Sequence, residues 1–249
     1  MKIQLIRNAT MKISYAGKTF LTDPMLAGKG EIQSFAGIEK NPTKELPLPE
    51  KEILSDIDAV LVSHNHPDHF DPKAVDLLDK NLTTFIQPAD EEAVRNFRFN
   101  NFIVVEKETL YENIKITRTG GKHGSDEILE KMGEVSGFIF EAENEPVVYW
   151  IGDSVLCEEV IDVVKKYSPD IIITHSGGAQ IPGFNPILMD ADETLKLFEL
   201  NKEVKVVAVH LESLDHCPVT RDELRKLGEE KNITDDRLII LDNGEIREF

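Results

Sequence analysis

Hydrophobic positions along the chain fall into two rhythms. Met1–Arg7, Met11–Tyr15 and Lys18–Thr22 alternate or cluster β-formers and predict three short strands, with Ala16-Gly17 as a turn between the last two. A polar stretch from Asp23 to about Glu50 follows, carrying Pro24, Pro42, Pro47 and Pro49. A structureless loop of that length inside a compact domain is usually functional, and a lid is expected here.

From Asp58 strands alternate with helices. Ala59-Val60-Leu61-Val62 is a short apolar strand, and Asp71-Pro72 reads as an N-cap with proline at the first helical position, opening a helix to about Leu78. Thr83–Ile86 predicts a strand, Asp90–Phe97 a helix, and Phe102–Val105 a strand. A hairpin through Glu112-Asn113 then returns along Ile114–Arg118. Gly137–Ala142 and Val147–Ile151 form a further hairpin across Asn144-Glu145-Pro146. Glu158–Tyr167 has helical spacing at Val160, Ile161, Val163 and Val164. Ile171–Thr174 and Val204–Val209 are buried strands. Asp190-Ala191-Asp192-Glu193 and Thr220-Arg221-Asp222-Glu223 resemble capping boxes that open two more helices. A last hairpin is expected to turn at Asn243-Gly244. Two β-rich halves, each with helices, predict an α/β (α+β) fold: two packed sheets with helices outside, a four-layer αββα sandwich forming one domain over 1–249.

Composition narrows the function. With 28 Lys+Arg against 46 Asp+Glu, the 249 residues carry a formal charge of −18. Such a polyanion lacks the bulk positive field with which nucleic-acid binders neutralise phosphates, and anionic membrane surfaces should repel it. No apolar run approaches the ~20 residues of a membrane span. Met1–Arg7 runs directly into polar residues without a signal-peptide core, and the only cysteines are Cys157 and Cys217, so a cytoplasmic protein is expected. A soluble acidic enzyme or small-molecule binder remains, with no nucleic acid or membrane as partner; a homo-oligomer is compatible with it.

The informative segment is Ser63-His64-Asn65-His66-Pro67-Asp68-His69-Phe70, placed where a buried strand ends and a helix is about to begin. Residues two apart on extended chain point the same way, so His64 and His66 can face one metal. After the turn imposed by Pro67, Asp68 and His69 can face a second position beside it. Three imidazoles and a carboxylate, with no thiolate, suit zinc and also manganese or iron(II). The chain has only seven histidines, which makes three of them after one apolar strand a poor candidate for core filling.

His64-x-His66-x-Asp68-His69 resembles the signature of the metallo-β-lactamase superfamily, and the likeness runs in order through nearly the whole chain. The resemblance implies the αββα sandwich and a dinuclear centre of two divalent metal ions. On this likeness His64, His66 and His123 hold one ion, Asp68, His69 and His210 hold the other, and Asp153 bridges them. It also implies that Asp23, ending an early strand, braces the histidine loop by orienting a ligand imidazole. Plainer readings stand beside these: His123, flanked by glycines, also fits a turn, Asp153 a helix cap, and Asp23 before Pro24 an ordinary turn former. His175 after Ile171–Thr174, and His216 six residues past His210, should reach the same rim. Each is either a structural histidine or a catalytic one in substrate contact or proton transfer. Cys217 reads as packing or rim.

Two divalent ions ~3.5–4 Å apart bring water towards hydroxide at neutral pH and polarise the bond under attack. Asp68 and Asp153 would share the catalytic work by orienting hydroxide and spacing the ions. The short early strands and Leu21-Thr22-Asp23-Pro24 look most like the branch containing the ascorbate-6-phosphate lactonase, and N-acyl-phosphatidylethanolamine phospholipase D enzymes share the broader branch. The implied activity is metal-dependent hydrolysis, of lactonase or phosphodiesterase type, of a small ester, lactone or phosphodiester, phosphorylated in one version. Lys122, Arg7 and Arg221 are the candidate anion contacts. The competing expectations are a non-catalytic metal-dependent binder or regulator, and a nuclease, which would need a basic groove. Two divalent ions would add four charges locally, so an acidic exterior can surround an electropositive pocket.

Overall fold

Fourteen strands and seven α-helices make up the fold in a computed structural model that describes residues 1–249, apart from the side chain of Asp126. Strands β1 (Lys2–Arg7), β2 (Thr10–Tyr15) and β3 (Lys18–Thr22) form an antiparallel meander. Its second turn is made by Ala16 and Gly17, both at positive φ, as a tight hairpin requires. Parallel strands β4 (Ala59–Leu61), β5 (Thr83–Ile86) and β6 (Phe102–Val104) extend that sheet. The second sheet repeats the plan: β7 (Glu108–Tyr111), β8 (Ile114–Thr119), β9 (Gly137–Glu141) and β10 (Val148–Trp150) are antiparallel. Then β11 (Ile171–His175), β12 (Lys205–Val209) and β13 (Leu238–Ile240) run parallel to β10.

The final turn is where the fold departs from expectation. Asn243-Gly244 does turn the chain, but β13 and β14 (Ile246–Glu248) do not pair with each other. β14 crosses to the first sheet and lies antiparallel to β1. The apolar run of β13 explains this. Ile239 faces the inter-sheet core while Leu238 and Ile240 face the helices, so the strand is buried on both faces beside β12. A hairpin partner with the exposure of β14 would have left one face in water.

Both sheets are covered outside. Helices α1 (Glu50–Ile53), α2 (Pro72–Leu77) and α3 (Glu91–Asn96) place Ile53, Ala74 and Val94 against Leu21, Val60 and Ile86 of the first sheet. Helices α5 (Glu158–Tyr167), α6 (Ala191–Leu200) and α7 (Arg221–Glu230) place Val160, Val164, Leu195 and Leu224 against the second. The expected caps are present: Asp71 accepts from Ala74 N, Asp190 from Glu193 N and Thr220 from Glu223 N. Between the sheets Phe20 packs on Phe85 and Phe140, with ring centroids 6.3 and 5.4 Å apart. Two short helices escaped the sequence pattern: α1, and α4 (Asp126–Met132), which lies beside the site.

The loop after β3 is anchored. The guanidinium of Arg7 donates to the carbonyls of Met25, Ala27 and Lys44, Asp71 accepts from Ala27 N, and Thr43 bonds Ser213 and Glu212. The expected lid is therefore a strapped wall over one end of the sandwich. Among the described residues no helix is long and apolar enough to cross a membrane.

Candidate metal centre and its cavity

The parallel strands end together, and the turns after β3, β4, β10 and β12 converge at that end with the turn after β8. These turns carry Asp23, the His64–His69 segment, Asp153, His210 and His123. Two of the turns use conformations that side chains rarely adopt: Asp23 has φ 37° and His210 φ 61°. Gly152, at φ 74°, sits where a Cβ would lie 2.5 Å from the Ser136 carbonyl oxygen, so only glycine delivers Asp153 here.

The carboxylate of Asp153 lies among five imidazoles. Its Oδ2 is 3.1 Å from His69 Nε2, 3.4 Å from His123 Nε2 and 3.8 Å from His64 Nε2. Its Oδ1 is 2.5 Å from His175 Nδ1 and 3.8 Å from His210 Nε2. Donor atoms of His64, His66 and His123 lie within 4.8 Å of one another, as do those of His69, Asp153, His175 and His210. Asp68 joins the second group, its Oδ2 lying 3.3 Å from His210 Nε2 and 3.4 Å from His69 Nε2. Asp68, and not His175, is the better sixth donor, because both nitrogens of His175 are engaged. Trp150 Nε1 donates to His175 Nε2 at 3.0 Å, so the remaining ring proton lies on Nδ1 and is donated to Asp153.

That geometry corrects the expected catalytic role of His175. It is fully buried, does not line the cavity, and holds Asp153 in orientation. Asp23 touches the histidine loop at three points: Ser63 N at 2.7 Å, Ser63 Oγ at 2.6 Å and His69 Nδ1 at 2.6 Å. A proton shared there directs His69 Nε2 at the two carboxylates, where a cation can replace its proton. His123 Nδ1 likewise donates to the Ile187 carbonyl at 2.8 Å, freeing Nε2.

These residues fit divalent cations. The Nε2 atoms of His69 and His210 are buried with no hydrogen-bond partner, a costly arrangement in a site of polar groups. Burial, helped by the neighbouring imidazoles, holds His64 well below its ordinary pKa and His123 down to about 4, leaving them neutral as ligands must be. Burial would raise Asp68 and Asp153, but the surrounding histidines, His69 foremost, hold both well below the usual carboxylate range. Burial would depress His69, yet Asp153, Asp68 and Asp23 hold it well above its ordinary value. A negative field that retains a proton there is one a cation would occupy.

A cavity of about 360 Å³ opens onto this cluster. His66, Asp68, His123 and Asp153 form its floor, and Phe35, Met132, Ile181 and Ile187 form an apolar wall. His216 also lines it, next to Phe35 and 7% exposed, with Nδ1 unpartnered and its ring edge-on to Phe35 at 5.1 Å. The expected anion contacts are elsewhere. Arg7 holds the loop, and buried Arg221 bonds Glu212, the Leu241 carbonyl and Asn243. Lys122 is exposed 3.7 Å from Glu159. Among the described residues no lysine or arginine lines the cavity. The wall residues escaped sequence reading because single apolar residues in loops carry no periodicity; Phe35 within a polar, proline-bearing loop was the one available signal.

The sandwich and its imidazole cluster define a protein of the metallo-β-lactamase fold. The chain matches the β-lactamase superfamily domain over residues 18–211, and it belongs to that family. It is 34% identical over 255 residues to the UPF0173 protein YddR of Bacillus subtilis (strain 168), covering 100% of each chain. Among solved structures it resembles an isothiocyanate hydrolase from Delia radicum gut bacteria, with TM-score 0.95 and 33% identity over 100% of this chain and 99% of that one. A possible metal-dependent hydrolase from Veillonella parvula DSM 2008 is similar at TM-score 0.95 and 32% identity, over 99% and 98% of the two chains.

Proposed function

We propose that this metal-dependent hydrolase of the β-lactamase superfamily acts on small, uncharged, apolar electrophiles, with isothiocyanates as the leading class. One observation carries the reading: the cavity joins a cluster of histidines and carboxylates to an apolar wall that has no cation. The likeness to the isothiocyanate hydrolase supports the same substrate class. A phosphorylated or phosphodiester substrate would present charges for which that wall has no partner.

His64, His66 and His123 would hold one divalent ion and Asp68, His69 and His210 a second, with Asp153 between them; zinc suits this nitrogen-rich set best, ahead of manganese or iron. Bound there, such ions supply Lewis acidity and make water a nucleophile at neutral pH. Asp68, ionised and facing the cavity, accepts a hydrogen bond from the attacking water and fixes its approach. Phe35, Met132, Ile181 and Ile187 take the organic group and exclude bulk water. His216, neutral because burial lowers its pKa, offers a ring N–H hydrogen bond to the substrate nitrogen, and the protons that finish there come from the water. The overall change balances as R–N=C=S + H2O → R–NH2 + COS: the oxygen bonds to carbon, the C–N bond breaks, and both protons finish on nitrogen.

The test uses purified protein with measured metal content, assayed on methyl, allyl, benzyl and phenethyl isothiocyanates beside lactone and bis(p-nitrophenyl) phosphate panels. Amine and carbonyl sulfide should form in equal amounts, with turnover lost in His66→Ala. Faster turnover of the lactones or the phosphodiester would replace this reading with lactonase or phosphodiesterase action. A metal-loaded protein inert on every panel would favour a non-catalytic binder.

A further inference from the structure

The cavity wall that carries Phe35 is a thin partition. Ser34 and Phe35 face the cavity, while Ala36 and Ile38, one and three residues past Phe35, line a separate depression on the outer side. Ile38 is 74% exposed, so no hydrophobic layer backs the segment from outside. One side chain from the second half of the molecule gathers most of its backbone hydrogen bonds. The Asp215 carboxylate accepts from the backbone N–H groups of Phe35 at 3.0 Å, Ala36 at 3.2 Å and Ile38 at 3.2 Å. The Ser34 hydroxyl also donates to it. A reciprocal pair completes the clamp: Asn41 Nδ2 donates to Asp215 Oδ1 at 2.9 Å, and Asp215 N donates to Asn41 Oδ1 at 2.8 Å.

Asp215 precedes His216, whose ring meets Phe35 edge-on. One residue therefore ties the Phe35 segment to the chain that carries His216. We propose that Asp215 is a positioning residue that sets substrate specificity: by clamping residues 34–38 it holds Phe35 against His216 as the surface that receives the organic group. The inference rests on the reading that this cavity binds an apolar group beside the metal centre. Carboxylate hydrogen bonds to several backbone N–H groups are strong and directional, so the clamp fixes the backbone of the segment while the Phe35 ring packs against the cluster of Met25, Ile187 and Leu214. A carboxamide cannot replace it, since an asparagine NH2 would face N–H donors.

The experiment measures binding, apart from turnover, on zinc-reconstituted protein. Affinities for N-phenethylthiourea and N-methylthiourea, stable thiocarbonyl compounds differing only in the organic group, give a preference ratio. The wild-type protein should favour the phenethyl compound by roughly 10-fold or more, the scale of one aromatic group's burial. In Asp215→Asn and in Phe35→Ala the ratio should fall to about threefold or less, and the double variant should fall no further, as coupled residues do. Amide hydrogen exchange at 35, 36 and 38 should accelerate in Asp215→Asn, with zinc content unchanged. A wild-type preference near unity, or one kept in Asp215→Asn, overturns the proposal, as does a loss in Asp215→Asn that Phe35→Ala does not reproduce. If wild-type protein shows the preference and the variants lose it, while no isothiocyanate is hydrolysed, the substrate assignment fails and the role of Asp215 stands.

Discussion

Replacing Asp23 by asparagine separates orientation from mere presence of the metal-facing histidines. The substitution keeps volume and shape at a site with 0% exposure. Asp23 now accepts three hydrogen bonds, two from Ser63 and one from His69. Asparagine offers a single acceptor oxygen and an NH2. If the oxygen stays on Ser63 N, the NH2 faces His69 Nδ1. The imidazole must then move its proton to Nε2, the atom that lies 3.1 Å from Asp153 and 3.4 Å from Asp68. That tautomer blocks the ligand lone pair, so affinity at the His69 position should fall by about 10–100-fold, the usual effect of losing a ligand's orienting partner. One lost charged hydrogen bond and one mismatched pair should also cost about 2–4 kcal/mol of metal-free stability. At ~2–4 °C per kcal/mol for a chain of this size, the melting midpoint should drop by roughly 4–16 °C. Chelator competition with metal analysis reads the first effect, and thermal unfolding of metal-stripped protein the second. Metal affinity within twofold of wild type, with a normal melt, would refute the tautomer argument.

Three further outcomes are expected. Asp90 is buried, with Oδ2 unpartnered, and burial pushes its pKa up to about 6 from 3.8; its folded form prefers the proton, so its stabilising contribution is complete below about pH 4 and lost as pH rises through 6. Asp90→Asn should therefore gain on the order of 1–2 kcal/mol at pH 7.5 and flatten the stability slope between pH 4 and 7, measured by urea unfolding. Arg7→Met removes three donations to loop carbonyls and should expose residues 28–44 to limited proteolysis while costing about 3–5 kcal/mol, read as a lower urea midpoint. Trp150→Phe frees His175 Nε2 and loosens its hold on Asp153; metal affinity should weaken several-fold by chelator competition, with a stability loss of about 2 kcal/mol.

The layers and the ligand-bearing turns were legible in the sequence because both are local. Ile171–Ile173 and Val206–Val209 are continuous apolar runs, as strands buried on two faces must be, and His64-x-His66-x-Asp68-His69 places its donors within one turn. What stayed hidden depends on contacts distant along the chain. Arg7 and Arg221 looked available for anions, since nothing nearby in sequence shows that loop carbonyls and Glu212 engage them. The role of His175 rests on Trp150, 25 residues away along the chain. The last hairpin failed because turn chemistry at Asn243-Gly244 specifies a reversal and leaves open which sheet receives the next strand.

If two ions bind as proposed above, the second partners of the imidazoles make their positions unequal. His69 Nδ1 meets the Asp23 carboxylate, His123 Nδ1 the Ile187 carbonyl, His64 Nδ1 the Ser63 hydroxyl, and His210 Nδ1 only the Cys217 sulfur at 3.5 Å. Basicity of a ligating nitrogen rises with the acceptor strength of the group bound to the other, so His69 should be the strongest donor and His210 the weakest. Both face the same position. It therefore depends on Asp68 and Asp153 for charge, whereas the His64–His66–His123 position has three nitrogens and shares only Asp153. Acid should empty the His69–His210 position first, because the carboxylates hold His69 well above its ordinary pKa and it takes a proton before His64 and His123, which burial holds low. A stepwise acid titration of the loaded protein should lose one equivalent of metal before the other, and it is the variant Asp68→Asn, not Cys217→Ser, that should abolish the interval between the two steps.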